Sequence, residues 1–257
     1  MSKKYWVPAI ERVDSILYLI AHQPNKYRLI DISNELEINK SSLFSSLNTL
    51  EQLGWVKKEN DGTYSLGTRL GILGILYFSR FDLISTFSIE AIKTVEKLNE
   101  TIQLSILDGT DILYLAKKEG TSQVRIASDP GMKFPAHSTA MGKILLSQYS
   151  FSELNEMYHT KSLTTKTAHT INNLSDLWHQ ISFIKEKGFV WERQEAVEGF
   201  TCVAAPIINH NNEIIAAVSS TMLIDKSKEE KEKAEKLIID LAEKISLKAG
   251  FVSKLGS

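Results

Sequence analysis

Between Pro8 and Leu66 the chain sets three helix-forming segments directly before a two-stranded hairpin, and few folds accept that order in so short a stretch. The first helix is predicted from Pro8 to His22, where Ile10, Val13, Leu17 and Ile20 recur at helical spacing to form an inward stripe and Pro8 suits a first-turn position. Pro24-Asn25 breaks it. Asp31 is the predicted N-cap of a short second helix that buries Ile32 and Leu36. After the turn Glu37-Ile38-Asn39, Asn39 is predicted to cap a third helix to about Leu53, which Gly54 ends. Trp55 to Lys58 and Thr63 to Leu66 read as strands, and Asp61-Gly62 between them supplies the tolerance of positive φ that a tight hairpin needs. Helix, helix, turn, helix and hairpin make a winged helix-turn-helix.

On the third helix Leu43, Leu47 and Leu50 share one side of the wheel, with Ser41, Ser45, Asn48, Thr49 and Gln52 opposite. That outer face is short, polar and uncharged, which suits hydrogen bonding to base edges and phosphates in a major groove. Lys40, Lys57, Lys58 and Arg69 are candidate phosphate contacts around it. The candidate DNA-binding set is Lys40, Ser41, Ser42, Phe44, Ser45, Asn48, Lys57 and Lys58. A winged helix that binds a protein partner instead is the alternative. Charge does not decide between them: residues 1–81 carry 10 basic and 8 acidic groups, in a chain of net charge −1, and a local patch matters more than a total.

The run Gly67 to Gly74 leads into an apolar helix to about Phe81, followed by an amphipathic helix from about Ile84 to Asn99. These mark the joint between domains, giving 1–68 as the winged domain, 69–81 as a linker helix and 82–257 as the remainder. There, strands are predicted at Gln103 to Leu107, Ile112 to Lys117, Val124 to Ala127, Thr201 to Ile208 and Glu213 to Met222, and helices over 139–147, 151–157 and 174–187. A closing helix from about Ser227 to Leu247 sets Ala234, Leu237, Ile238, Leu241 and Ile245 on one side. The class is α+β, a largely antiparallel sheet flanked by helices.

Two segments of this part carry candidate chemistry. Phe134 to Lys143 places a proline and small hydroxyl residues ahead of a helix whose first turn exposes N–H groups near Ala140 and Met141, a setting that favours a carboxylate. Glu192 to Thr201 approaches Cys202, and Ser219 and Thr221, two apart, share one strand face. Taken singly, these are also what a routine capped helix and satisfied core residues look like. Cys202 is the one cysteine, so there is no internal disulfide and no CxxC motif, and the six histidines show no metal spacing. No metal or cofactor is implied. Cys202 with His137 as nucleophile and base is the enzymatic alternative, a domain turning over a small acid, although nothing local supports it. No run approaches the roughly 18 apolar residues of a membrane span, and the basic start runs into Pro8, Glu11, Arg12 and Asp14 rather than a signal core. A cytoplasmic protein is expected.

Four segments, LIDISNELEINKSSLFSSLNTLEQLGWV, YSLGTRLGILG, FPAHSTAMGKILL and EAVEGFTCVAAPI, together resemble the IclR family of bacterial transcriptional regulators, in the family's order and spacing from about Val7 to Ala249. The resemblance implies a winged helix-turn-helix, a linker helix and a GAF-like or profilin-like effector-binding domain, assembled as homodimers or tetramers. It also implies a repressor or activator of catabolic operons, here expected to be a repressor, that senses small organic, aromatic or sugar acids. The partners expected are double-stranded operator DNA and a small carboxylate or sugar-acid effector. By motif position the ligand-facing residues are Ala140, Met141, Glu192, Cys202, Ser219 and Thr221. Two positions depart from the pattern: Ser45 stands where arginine is common, and Glu192, flanked by Trp191 and Arg193, stands where aspartate is common.

Overall fold

In a computed structural model, which describes residues 6–78, 81–121, 128–158 and 163–252, the Asn39 side chain caps the third helix by accepting from the Ser42 N–H at 2.8 Å. The chain divides into two units, residues 1–80 and 81–257. The first contains α1 (Pro8–His22), α2 (Leu29–Glu35), α3 (Lys40–Gln52), β1 (Val56–Lys58), β2 (Tyr64–Leu66) and α4 (Thr68–Phe78). Its core is Ile16, Ile20, Ile32, Leu43, Leu47, Leu50, Val56 and Tyr64, so the leucine face of α3 points inward as expected. The wing pairs Val56 with Leu66 and Lys58 with Tyr64, and its turn closes through Gly62 at φ 84° and Asp61, whose carboxylate accepts from the Thr63 N–H at 3.0 Å.

Two local expectations are corrected here. Asp31 is not an N-cap: α2 begins at Leu29, and the Asp31 carboxylate reaches back from the third helical position to accept from the Arg28 N–H at 2.8 Å, the carboxylate half of a capping box. Starting earlier lets Leu29 pack on the core. On α1 the buried residues are Ile16 and Ile20, whereas Ile10 is 67% exposed, because the first turn extends beyond Val13, where packing on the core begins.

The second unit contains α5 (Leu83–Leu98), β3 (Thr101–Asp108), β4 (Asp111–Lys118), β5 (Lys133–Pro135), a 3₁₀ turn (Ala136–Ser138), α6 (Ala140–Leu146), α7 (Phe151–Tyr158), α8 (Leu174–Lys187), β6 (Val190–Arg193), β7 (Phe200–Ile208), β8 (Ile214–Leu223) and α9 (Lys228–Lys248). Its six strands run antiparallel in the order β5-β4-β3-β8-β7-β6. Side chains alternate across this sheet. Ile102, Leu104, Val203 and Val218 pack with Phe87 of α5 and Ile238, Leu241 and Ile245 of α9. Ala204 and Ala217 pack on the other side with Ile144 and Leu145 of α6 and Ile181 of α8. This is the α+β architecture expected. β5 and β6, three and four residues long, were not foreseen, and the strand expected at Val124 to Ala127 lies outside the described residues. Among the described residues no helix is long and apolar enough to cross a membrane, and no group of His, Cys, Asp and Glu could hold a metal ion.

Candidate functional site

On α3 the residues opposite the leucines are exposed: Ser41, Phe44, Ser45, Asn48, Thr49 and Gln52 all reach the surface, as does Lys40 in its first turn, while Ser42 is half-buried. Phe44 stands out at 61% exposed, an apolar ring on a polar face. Ser45 and Thr49 donate to the carbonyls of Ser41 (3.1 Å) and Ser45 (2.9 Å), so their outward sides present lone pairs. Lys57 on the wing is paired with Glu59 at 2.8 Å, whereas Lys58 and Arg69 are simply exposed.

In the second unit the sheet register brings the remaining candidates together. Cys202 lies opposite Thr221 on the β7–β8 ladder, and Gln103 lies opposite Ser219 on the β3–β8 ladder, so these side chains share one face. Above them sits the start of α6. Gly142 fixes its position, since a Cβ there would fall 2.1 Å from the Ala136 carbonyl oxygen, and Thr139 caps it by accepting from the Gly142 N–H at 3.1 Å. The N–H groups of Ala140 and Met141 belong to a first turn that no carbonyl of the helix itself can satisfy.

Ala140, Met141, Glu192, Cys202, Ser219 and Thr221, from four elements, all line one cavity of about 20 Å³, the space of about one water molecule. Gln103, Tyr114, Phe134, Thr139, Ala196 and Val197 complete its wall; none was among the six candidates, although all but Gln103 and Tyr114 lie in the two segments singled out in the sequence. Gln103 had a legible signal: in a buried strand Gln103 and Ser105 are polar at a spacing of two, the pattern that singled out Ser219 and Thr221. Both Ser219 (3.1 Å) and Thr221 (3.2 Å) donate to Gln103 Oε1, and Cys202 Sγ lies 3.2 Å from Thr221 Oγ1.

The outer wall is the loop after β6. Glu192 Oε1 accepts from the N–H groups of Glu195 and Ala196, and Glu195 in turn pairs with Lys143 of α6. Thr170 Oγ1 donates to the Glu195 carbonyl at 2.7 Å and Thr167 Oγ1 to that of Gln194 at 2.6 Å. Gln194 and Gly199, at φ 60° and 81°, turn the chain at either end. Burial pushes the Glu192 carboxyl up to about 7. Trp191 and Arg193 alternate with Glu192 onto the other strand face: Trp191 donates to Glu235 of α9 at 2.7 Å and Arg193 is exposed. Neither lines the cavity.

The enzymatic alternative fails on the same geometry. Burial pushes the Cys202 thiol far above its ordinary range, so it is protonated and a poor nucleophile at neutral pH. His137, the base it would need, spends Nε2 on the Thr164 carbonyl at 3.1 Å and packs edge-on against Tyr158.

A family model for the IclR helix-turn-helix domain matches residues 9–60, and one for the bacterial transcriptional regulator IclR C-terminal domain matches residues 75–247. This chain belongs to the IclR family. The HTH-type transcriptional regulator XynR of Escherichia coli K12 is 30% identical over 218 residues, 84% of this chain and 86% of XynR. The acetate operon repressor of Salmonella typhimurium is 25% identical over 216 residues, 83% of this chain and 79% of that protein. Among solved structures, the repressor BlcR of Agobacterium tumefaciens superimposes with a TM-score of 0.82 at 25% identity, covering 98% of this chain and 100% of that one. This IclR-family protein is therefore a DNA-binding transcriptional regulator rather than an enzyme, with a helix-turn-helix domain ahead of an effector-binding domain.

Proposed function

We propose that this regulator is a repressor of a catabolic operon, acting in the cytoplasm, whose effector is a small carboxylate or sugar acid bound in the cavity between α6 and strands β7 and β8. The observation that carries this reading is the convergence of Ala140, Met141, Glu192, Cys202, Ser219 and Thr221 on one small cavity. The N–H groups at Ala140 and Met141 suit the carboxylate, and the Ser219 and Thr221 oxygens suit hydroxyl groups elsewhere on the acid. A Glu192 carboxyl pushed up to about 7 is partly neutral at physiological pH, which eases its repulsion of an anion. Any such acid exceeds the 20 Å³ available, so its entry requires the cavity to widen.

On the DNA side the reading assigns Lys40, Ser41, Ser42, Phe44, Ser45, Asn48, Lys57 and Lys58 to a pseudo-palindromic operator, read by paired copies of α3 in a homodimer or tetramer. Ile72, Leu73 and Ile75 of α4 are exposed, Ile75 by 70%, and this apolar surface suits a second chain. Regulation requires the effector to bind the DNA-competent and incompetent states unequally.

The test is operator affinity by fluorescence anisotropy on the promoter fragment beside the protein's own gene, titrated against a library of small acids. At least one acid is expected to weaken binding by about 5- to 150-fold, which corresponds to roughly 1–3 kcal/mol of coupling. No response to any acid, together with no salt-dependent binding of the fragment, contradicts the reading.

A further inference from the structure

We infer that Gln103 is a specificity-determining residue, which makes the cavity floor a hydrogen-bond acceptor and so selects hydroxy acids over the corresponding oxo acids. This rests on the cavity being the effector site. Gln103 projects from β3 and is almost wholly buried, and its carboxamide is held at both ends. Its Nε2 donates to Ser128 Oγ at 3.2 Å, while its Oε1 receives the hydroxyls of Ser219 at 3.1 Å and Thr221 at 3.2 Å. A carbonyl-type oxygen has two lone pairs, and these two hydroxyls fill them.

Each hydroxyl carries one proton, so a proton given to Gln103 is not available to a ligand. Ser219 and Thr221 are then left with lone pairs only. Cys202, 3.2 Å from Thr221 Oγ1, fits the same direction of donation, from the thiol to the threonine oxygen. The floor thus offers acceptors to whatever sits on it. A ligand hydroxyl placed there donates and is satisfied; a ligand carbonyl meets lone pairs and is not, and in a buried site an unmatched acceptor is costly. A side chain that is neither charged nor among the six residues suggested by the sequence therefore decides which oxidation level of an acid is held.

The experiment is calorimetric titration of the full-length protein with three matched pairs, lactate and pyruvate, glycolate and glyoxylate, malate and oxaloacetate. The proteins compared are the wild type, Gln103→Leu, the nearly isosteric Gln103→Met and Cys202→Leu, which fills the cavity. In the wild type the hydroxy member of a bound pair is expected to bind at least about 10-fold more tightly than the oxo member. With Gln103 replaced, the freed hydroxyls can donate, and the ratio is expected to fall to near unity or invert. A purely structural role would weaken both members alike and leave the ratio unchanged. That result, or a wild type preferring the oxo member as a carboxamide turned the other way round would produce, overturns the assignment to Gln103. Binding that survives in Cys202→Leu, or no binding of any of the six acids to the wild type, overturns the cavity reading itself.

Discussion

Lys143 of α6 and Glu195 of the loop after β6 form an ion pair with both side chains out of water, 0% and 8% exposed. Desolvation holds the Lys143 ammonium below its ordinary range even with Glu195 beside it. Such a pair contributes little relative to apolar residues of the same shape, but breaking it strands a buried charge. Lys143→Met is expected to cost about 3–5 kcal/mol of unfolding free energy, and Lys143→Met with Glu195→Leu markedly less. Denaturant unfolding of the single and double variants reads this directly, and additive losses would count against it.

Glu192 gives the second unit a pH-dependent stability of predictable sign. Its folded value of about 7 lies above the ordinary 4.5, so between those values the folded protein holds a proton that the unfolded chain has released. That stabilisation is complete below about pH 4.5 and lost as pH rises through about 7. Glu192→Gln keeps an acceptor for the Glu195 and Ala196 N–H groups and should flatten this slope, gaining on the order of 3 kcal/mol at most over wild type at pH 8. Effector binding should also strengthen from pH 8 to 6 in wild type but not in the variant. A melting-temperature profile that is the same in both proteins would remove Glu192 from this role.

Ser45→Glu places a negative charge where the reading has phosphates, without touching the Leu43–Leu47–Leu50 face. Operator affinity is expected to fall by about 10-fold or more, on the scale of one lost charge-compatible contact, at unchanged melting temperature. Phe44→Ala should narrow the difference between operator and random DNA, because an exposed ring is suited to a thymine methyl rather than to a phosphate. Unchanged affinity and unchanged discrimination in folded variants would assign the face to some other partner.

Ser220 carries an orphan: its Oγ is buried and has no hydrogen-bond partner among the described residues. It alternates on β8 with Ser219 and Thr221, and its neighbours on that face are Val218 and Met222, in the apolar layer against α5 and α9. Ser220→Ala is expected to be neutral or stabilising by about 1 kcal/mol in chemical denaturation, since it deletes an unsatisfied group. A loss of more than about 1 kcal/mol would show that the hydroxyl has a role.

The helices, the wing and the long strands were legible because each has a local signal: Asn39 before α3, Asp61-Gly62 in the turn, alternation in β7 and β8. Where a boundary depends on what the helix packs against, as at Asp31 and Ile10, local signals misled, since only the assembled core decides which turn is buried. β6 was illegible because four residues, Val190 to Arg193, alternate too briefly to outweigh the helix before them. In the cavity the six residues suggested by the motifs all came together, but the groups that hold them did not show. Gln103 is 116 residues from Ser219, and Glu195 is 52 from Lys143, so only strand register and helix packing relate them.

The proposed function places an acid effector in the cavity over β7 and β8, acting from there on DNA binding. Its most direct test is calorimetry and operator binding on wild type and on the triple variant Cys202→Leu, Ser219→Val, Thr221→Val, using whichever acid of the library releases the wild-type protein from its operator. The expected result is a folded variant that binds the operator as wild type does, with no measurable affinity for the acid and no response to it. Equal affinity for the acid in the variant and the wild type would contradict it.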